Sequence, residues 1–271
     1  MKLHFHKYQA TGNDFVLIDN RSGVYSFSKG QIEKICDRRF GVGADGLILI
    51  EMHPTLDFNL IYYNSDGSQS LCGNGSRAAV IMASTLGMFA GKSTFNAYDG
   101  LHEAELLANG IVRLKMNDVN EVKRMGDEIF MNTGSPHVIQ FVKNLSDYPV
   151  VEEGRKIRYS EDYKPTGVNA NFVELNGANS IFVRTYERGV ENETYSCGTG
   201  VTAAALAASL KGYQSPVNVK VLGGELTVEF KSKKVGIKAG LSAAASAKAD
   251  IFHDIFLIGP AKLVFDGDLE L

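Results

Sequence analysis

The chain has 271 residues, 44% of them hydrophobic, and a formal net charge of −3 at pH 7. A nearly neutral chain with scattered basic residues is not expected to bind nucleic acid. No apolar run approaches the ~20 residues of a membrane span, and the N-terminal stretch lacks the apolar core of a signal peptide. We therefore expect a cytoplasmic protein with no membrane partner and, from its length, about two domains.

Most of the chain alternates apolar and polar residues in the manner of β-strands, and few segments favour helices. The predicted elements, in chain order, are strands at 2–8 and 14–19, a helix at about 28–38, strands at 47–52, 57–64 and 111–116 with a helix at about 74–87 between the last two, strands at 137–142, 170–175 and 180–187, a helix at about 199–211, and strands at 218–223 and 226–230. We interpret 231–234 as a solvated turn and 240–250 as an exposed connector.

Each half of the chain has several strands and one helix that follows a Cys-Gly motif. This order indicates an approximate internal duplication. A boundary near "NDVNE" (117–121) predicts domains at 1–118 and 119–258. The final segment, 259–271, ends in a strand after a Gly-Pro turn and is expected to join the first domain. We therefore expect a mixed fold of the α/β (α+β) class, with mostly strands and few helices.

The three cysteines do not suggest a disulfide framework, and no C-x-x-C pair supports a zinc site. Cys36 shares an apolar helical stripe with Ile32 and Ile35, which is typical of a buried core thiol. "GVGADG" (41–46) has the letters of a dinucleotide-binding loop. However, it follows a helix and precedes a strand, which is the reverse of the required order, so turn chemistry explains its glycines.

The other two cysteines lie in matching contexts, "SLCGNGSRAAV" (70–80) and "SCGTGVTAAALAASL" (196–210). Each is predicted to stand at a helix N-terminus, where unpaired N–H groups and the helix dipole favour an anion. A free thiol has a pKa of ~8.5, and lowering it to ~7 requires roughly 2 kcal/mol. A partly buried helix terminus supplies up to ~2 kcal/mol, while burial opposes it.

Two thiols facing one pocket would not ionise equally, because the first charge raises the second pKa. One thiolate and one thiol on opposite sides of a bound molecule would suit inversion at a carbon, with no metal or pyridoxal cofactor required. Two alternatives stay open at this point. Both cysteines could be buried fillers at helix starts, or one could be the nucleophile of a hydrolase with His137 as its base.

The sequence resembles the diaminopimelate epimerase family along almost its whole length. The stretches that carry the resemblance are "ATGNDFVLID" (10–19), "RRFGVGADGLI" (38–48), "YNSDGSQSLCGNGSRAA" (63–79), "SPHVIQFV" (135–142), "GVNANFVEL" (167–175), "RTYERGV" (184–190), "SCGTGVTAAALA" (196–207) and "GPAKLVFDG" (259–267). The two cysteine motifs in this order and spacing are specific, and "GNDF", "NSDG" and "YERG" separate this branch from proline racemases.

The resemblance implies two pseudosymmetric domains, each a curled, mostly antiparallel sheet around a central helix, with the active site in the cleft between them. It implies interconversion of LL- and meso-diaminopimelate, a step toward lysine and peptidoglycan, without a cofactor and usually as a homodimer. Cys72 and Cys197 carry over as the two bases.

The family's substrate contacts carry over to Asn13, Asn64, Gly73, Asn74, Asn169, Glu187, Arg188, Gly198 and Thr199. Arg188 could hold the distal carboxylate in a forked pair, and Glu187 could accept from the distal ammonium. A family "PH" element that borders the pocket corresponds to His137, and Ser135 stands where many members have Asn. The loop at 189–194 is one residue longer than the commoner form.

These departures leave a second enzyme hypothesis, a racemase of another amino acid on the same scaffold. A third hypothesis, from a different class, is a non-catalytic protein that captures an anion with two helix N-termini.

Overall fold

The computed structural model describes residues 2–177, 179–236 and 248–271. The α-helices in these ranges are α1 (Lys29–Cys36), α2 (Gly73–Thr85), α3 (Val150–Arg158) and α4 (Gly198–Ser209). The strands are β1 (Lys2–Ala10), β2 (Asn13–Asp19), β3 (Gly46–Glu51), β4 (Phe58–Asn64), β5 (Lys92–Ala97), β6 (Gly100–Leu106), β7 (Ile111–Lys115), β8 (Val122–Met125), β9 (Glu128–Asn132), β10 (Pro136–Phe141), β11 (Asn169–Asn176), β12 (Ser180–Glu187), β13 (Asn192–Thr194), β14 (Val217–Val221), β15 (Gly224–Gly236), β16 (Lys248–Pro260) and β17 (Lys262–Glu270).

The chain divides into two compact units. The first unit comprises Met1–Lys115 and Ile258–Leu271, and the second comprises Met116–Leu257.

The first unit is a sheet that surrounds helix α2. Strand β1 pairs antiparallel with β2 and β17, β2 runs parallel to β3, β3 antiparallel to β4, β4 parallel to β5, and β5 antiparallel to β6. Helix α2 contacts most of these strands, and Ala78, Ala79, Val80, Met82 and Ala83 are buried. The part of the helix that the sheet encloses must be apolar on nearly every side, which explains the apolar run from Ala78 to Ala83.

The second unit repeats the same series of pairings around helix α4. Strand β9 is antiparallel to β10, β10 parallel to β11, β11 antiparallel to β12, β12 parallel to β14, and β14 antiparallel to β15. Helix α4 is buried from Val201 to Ala208 and contacts these strands. The repeated pairings and the central helices confirm the predicted fold class and show where the duplication lies.

The predicted helices were correct to within two residues. Ser28 caps α1 through a capping box with Gln31. Cys36, at the end of α1, is buried among Ile32, Ile35 and other apolar residues, which confirms it as a core thiol. Burial raises the pKa of its thiol to about 11.

Helix α3 and several strands were missed. Only Val150, Gly154 and Ile157 of α3 are buried, and Pro149 at its N-cap makes no side-chain capping bond. So short a stripe without a capping signal does not stand out in a sequence. The missed strands include β5, β6, β8 and β9, whose sequences carry many polar and charged residues.

Four local interpretations were wrong in whole or in part. Residues 231–234 lie within strand β15 rather than in a turn, and their side chains are exposed. Strand β16 continues through Gly259 and Pro260, so the break before β17 falls at Ala261 instead of a Gly-Pro turn. Of the expected connector, 240–247 lie outside the described residues and 248–250 begin β16. The expected loop at 189–194 ends in strand β13, which forms a hairpin with β12.

Within the part of the chain that the structure describes, no helix is both long enough and apolar enough to cross a membrane.

Candidate active site

Cys72 is the N-cap residue of α2, as the sequence predicted. Its backbone is extended, with φ −130° and ψ 109°, and the N–H of Gly75 donates to its Sγ over 3.4 Å. The Cys72 carbonyl accepts from the N–H of Ser76 at 2.8 Å, which closes the first helical turn. The thiol therefore sits where the helix dipole favours negative charge.

Asn13 contacts Cys72 with a fixed orientation. Its Nδ2 donates to the carboxylate of Asp45, a group that can only accept when ionised. Asn13 Oδ1 must therefore face the other way, where it accepts from Asn74 Nδ2 at 3.2 Å and lies 3.7 Å from Cys72 Sγ. The structure thus brings together Asn13, Cys72 and Asn74, and it adds Asp45, which the sequence did not single out.

A cluster of charges supports Asp45 and the start of β2. Arg38 bonds to Asp45 and Asp14 at 2.7 Å each, and Lys7 Nζ lies 2.6 Å from Asp14. Burial alone would raise the pKa of Asp14, but hydrogen bonds and charges from Arg38 and Lys7 outweigh it and lower that pKa to about 2. Asp14 therefore stays ionised at neutral pH and helps to hold Arg38 beside Asp45.

The side-chain amide of Asn64, at the end of β4, donates hydrogen bonds within the turn that follows it. Its Nδ2 donates to Ser68 O at 3.2 Å, to Ser68 Oγ at 3.0 Å and to Ser70 Oγ at 3.2 Å. Gly73 and Asn74 are the first two residues of α2, where their backbone N–H groups precede the first intrahelical bonds.

Cys197 is the N-cap residue of α4 and matches Cys72 in backbone conformation, with φ −115° and ψ 108°. It is more buried, at 8% exposure, and its Sγ makes no capping bond to the helix. Instead Sγ lies 3.6 Å from the hydroxyl of Thr199. Gly198 and Thr199 are the first two residues of α4, as Gly73 and Asn74 are of α2.

His137 forms the centre of a polar network behind Thr199. Its Nε2 lies 2.9 Å from Thr199 Oγ1 and 2.9 Å from Ser135 Oγ, and these two hydroxyls are 3.1 Å apart. Its Nδ1 faces Nδ2 of Asn171 at 3.0 Å. The side chain is fully buried, and burial together with the charge of Arg188 lowers the pKa of His137 to about 3.

Ser135 links this network to Asn169 and Arg188. Asn169 Nδ2 donates to Ser135 Oγ at 3.1 Å, and Asn169 Oδ1 accepts from the backbone N–H of Arg188 at 2.8 Å. Ser135 and His137 therefore both contact Thr199, which in turn lies beside Cys197. Asn171 was missed because "GVNANFVEL" only shows it as one polar residue in a strand.

The hairpin that presents Glu187 and Arg188 is held by Glu191. The Glu191 carboxylate accepts from Tyr159 Oη at 2.9 Å, from Tyr186 Oη at 3.1 Å and from the N–H of Gly189 at 3.1 Å. Glu187 Oε2 accepts from Thr194 Oγ1 at 3.0 Å across the hairpin. The sequence showed this segment only as a lengthened loop.

Arg188 directs its guanidinium toward backbone oxygens. Its Nη1 donates to Thr166 O at 3.1 Å and to Gly167 O at 3.5 Å. Among the residues that the structure describes, no carboxylate forms an ion pair with it. Its positive charge is therefore not neutralised by a carboxylate from its own unit.

Packing leaves little room for a side chain at the second glycine of each cysteine motif. A Cβ at Gly200 would overlap Asn171 Oδ1 and lie 3.3 Å from His137 Cε1. A Cβ at Gly75 would lie 3.2 Å from Ile48 Cδ1 and 3.5 Å from Cys72 Cβ. Contacts at 3.2–3.3 Å are tighter than most Cβ contacts, so the absence of a side chain helps each helix start to approach its sheet closely.

Among the described residues, no group of three or more His, Cys, Asp or Glu side chains is arranged to hold a metal ion.

Comparison with known proteins places this arrangement in a family. The family model described as "Diaminopimelate epimerase" matches residues 5–127 and 129–242. The diaminopimelate epimerase of Flavobacterium psychrophilum is 47% identical over 270 residues, which cover 98% of this chain and 99% of that protein. The diaminopimelate epimerase of Chlorobaculum tepidum is 40% identical over 271 residues, covering 96% and 98%.

Solved structures share the fold at low sequence identity. A phenazine biosynthesis protein of the PhzF family from Bacillus anthracis matches with a TM-score of 0.72 and 13% identity, over 100% of both chains. A hydroxyproline epimerase from Agrobacterium vitis, solved with bound trans-4-OH-L-proline, matches with a TM-score of 0.68 and 16% identity, over 100% of this chain and 93% of that one.

The duplicated fold, the paired cysteine motifs and the full-length relatives define an enzyme of the epimerase class. The chain belongs to the diaminopimelate epimerase family.

Proposed function

We propose that this enzyme interconverts LL- and meso-diaminopimelate, with Cys72 and Cys197 as a pair of acid and base. Full-length relatives at 40–47% identity that bear this name support the substrate. The observation that carries the mechanism is that each of the two thiols is the N-cap of its own buried helix. The proposal requires that both sulfurs reach the same α-carbon.

The reaction moves one proton off the carbon and another onto it. A cysteine thiolate takes the α-proton, so the C–H bond breaks, an S–H bond forms and the electron pair stays on carbon, delocalised into the adjacent carboxylate. The thiol of the other cysteine then gives its proton to the opposite face, which forms a new C–H bond and leaves a thiolate. The enzyme ends with the two protonation states exchanged and is ready for the reverse reaction.

The helix N-termini have two parts in this mechanism. Backbone N–H groups of Gly73, Asn74, Gly198 and Thr199 are placed to donate to the carboxylate beside the reacting carbon, where negative charge grows in the transition state. The same dipoles favour the thiolate form of each cysteine. Chemistry supplied in this way needs neither a metal nor pyridoxal phosphate, so we infer that the enzyme works without a cofactor.

The distal end of the substrate, an ammonium and a carboxylate that do not react, requires its own recognition. Arg188 can bind that carboxylate by a charge-assisted forked pair, since only backbone oxygens engage its guanidinium among the described residues. Glu187 can accept from the distal ammonium. Asn13, Asn64 and Asn169 complete the proposed contacts, and the first and last of these are already oriented by Asp45 and Arg188.

As the resemblance implies, we further propose that the protein acts in the cytoplasm as a homodimer. Size-exclusion chromatography with light scattering would show a mass near twice the 29.5 kDa of one chain.

The substrate assignment is tested by incubating the reduced enzyme with LL-diaminopimelate and EDTA and following the meso isomer by chiral chromatography. We expect conversion without added metal or pyridoxal phosphate. Cys36→Ala is the matched control, because this buried thiol lies outside the proposed machinery and its removal should leave turnover intact. A preference for proline or another mono-amino acid over diaminopimelate would instead favour the racemase alternative.

A further inference from the structure

The two cysteine motifs differ at the position five residues after each cysteine. In α2 this residue is Arg77, and in α4 it is Thr202. Both side chains are fully buried. At this shared position of the duplicated motif, the first helix therefore has a buried arginine and the second has a buried neutral hydroxyl.

Arg77 is a buried cation with few partners. Its Nη2 donates to Asn74 Oδ1 at 2.9 Å and to Thr11 Oγ1 at 3.3 Å, whereas Nε and Nη1 make no hydrogen bond. No carboxylate pairs with it in the described ranges, although buried charges are ordinarily paired. An unpaired guanidinium at this depth points to an anion that is present in another state of the site.

The nearest candidate for that anion is the thiolate of Cys72. Burial lowers the pKa of Arg77 to about 10, and the charge of Cys72 acts in the opposite direction. The attraction is mutual: a Cys72 thiolate stabilises the charged guanidinium, and the guanidinium stabilises the thiolate and so favours a lower pKa of Cys72. Arg77 also fixes the amide of Asn74, whose Nδ2 then faces Asn13 beside Cys72.

Cys197 has no buried cation at the corresponding helix position. The cation on its side of the described contacts is Arg188, whose charge acts on His137. Arg188 is only partly buried, so solvent screens its charge more than that of Arg77. The hydroxyl of Thr202 donates to Gly198 O at 2.9 Å within α4 and has no charge to offer. Cys197 is also the more buried of the two cysteines, and burial favours the neutral thiol. Two contacts act the other way. Asn13 Oδ1 at 3.7 Å accepts from a Cys72 thiol rather than a thiolate, and the Thr199 hydroxyl at 3.6 Å can donate to a Cys197 thiolate. Neutral amide and hydroxyl dipoles at these distances are weaker than a desolvated full charge.

We infer that Arg77 is a positioning residue that makes Cys72 the more readily ionised of the two cysteines, so that the substrate-free protein carries a Cys72 thiolate and a Cys197 thiol. The inference rests on the proposed function only for its catalytic meaning. In the proposed reaction, Cys72 is then the base of the substrate-free enzyme. The substrate isomer that presents its α-hydrogen to Cys72 can react without a prior change in the protonation of the two cysteines.

The test measures alkylation of each thiol in the substrate-free protein. The reduced protein is treated with iodoacetamide between pH 5.5 and 9.5, and the rate at Cys72 and Cys197 is followed separately by peptide mass spectrometry. We expect the midpoint of the rate profile of Cys72 to lie below that of Cys197. In Arg77→Met the rate at Cys72 below its midpoint should fall about tenfold, as expected for loss of a nearby opposite charge.

Two further variants separate charge from packing. Arg77→Lys keeps a cation and should give a Cys72 profile between those of the wild type and Arg77→Met. Thr202→Val, the equivalent change in α4, should leave the Cys72 profile unchanged. Circular dichroism and thermal unfolding establish that each variant is folded.

A Cys72 midpoint at or above that of Cys197 in the wild type would overturn the inference, even if no Arg77 variant folds. So would a folded Arg77→Met with an unchanged Cys72 profile, or an Arg77→Lys profile that coincides with that of Arg77→Met. None of these measurements uses diaminopimelate. A protein that orders its thiols as expected but does not epimerise would contradict the proposed function alone.

Discussion

Asn171 donates from Nδ2 to Nδ1 of His137 across 3.0 Å, and this contact fixes the tautomer of the buried imidazole. The other contacts of Asn171 fix which end of its amide faces His137. Its Oδ1 accepts from Thr185 Oγ1 at 3.0 Å, and its Nδ2 also donates to Val138 O. Nδ1 must therefore accept, which leaves the proton on Nε2. Neutral His137 donates to the hydroxyls of Thr199 and Ser135, and Thr199 can direct its own proton toward Cys197.

The buried His137 should make stability depend on pH. Its pKa is about 3 in the folded protein, against an ordinary value near 6.5 in the unfolded chain. Between these values the unfolded state binds a proton that the folded state does not, so stability rises with pH across this window. The expected slope is at most about 1.4 kcal/mol per pH unit.

Urea unfolding of the wild type and His137→Gln at several pH values from 4 to 7 checks this slope. The difference between the two proteins isolates His137 from the other histidines. We expect the free energy of unfolding of the wild type to fall relative to that of His137→Gln as the pH is lowered. An equal pH dependence in both proteins would show that the folded-state pKa of His137 is not depressed.

The close approach of α4 to its sheet predicts a large cost for a single methyl group. Gly200→Ala would place a Cβ against Asn171 Oδ1, which is buried and bonded to Thr185, so something must shift. We expect a loss of about 1–3 kcal/mol in the free energy of unfolding. Gly30→Ala is the matched control, since a Cβ at this α1 position meets nothing within 4 Å and should be neutral or slightly stabilising. Equal stabilities for the two variants in denaturant titrations would contradict the packing argument.

Recognition of the distal carboxylate should depend on the guanidinium of Arg188. Arg188→Ala is expected to lower kcat/KM for diaminopimelate by about 100-fold, which corresponds to roughly 2.7 kcal/mol and is within the range of a charged hydrogen-bonded pair. Arg188→Lys should recover only part of this loss, because an ammonium cannot make the forked contact. Arg184→Lys is a control on the same hairpin, since Arg184 is already paired with Glu193 at 2.6 Å. Full activity of Arg188→Ala would remove Arg188 from substrate binding.

The parts of the site that the sequence predicted are those with local signals. A cysteine followed by Gly-x-Gly and an alanine-rich run predicts a capped helix wherever it occurs, and both copies were placed correctly. The hairpin residues Glu187 and Arg188 were also found at a strand end, as expected.

The residues that the sequence missed act through distant contacts. Asp45 orients Asn13 across a parallel strand pair, and Asn171 orients His137 across another. Glu191 holds its hairpin through Tyr159, a residue of the segment that follows α3. Arg77 looked like an ordinary polar position on a helix, and only its burial shows that its charge is unusual. No periodicity or spacing encodes such pairings, because they depend on which strands become neighbours.

The central claim, that two cysteines act on opposite faces of one carbon, is tested most directly by the origin of the proton in the product. LL-diaminopimelate is incubated with the reduced enzyme in heavy water and sampled at low conversion. A thiol has one proton, so the proton taken from the substrate stays on one sulfur while the other sulfur delivers a solvent deuteron. We predict one deuterium at the inverted carbon of the meso product and none in the remaining LL isomer, with neither Cys72→Ala nor Cys197→Ala forming product. A meso product that keeps the original hydrogen, or a single-cysteine variant that epimerises at the full rate, would contradict the account.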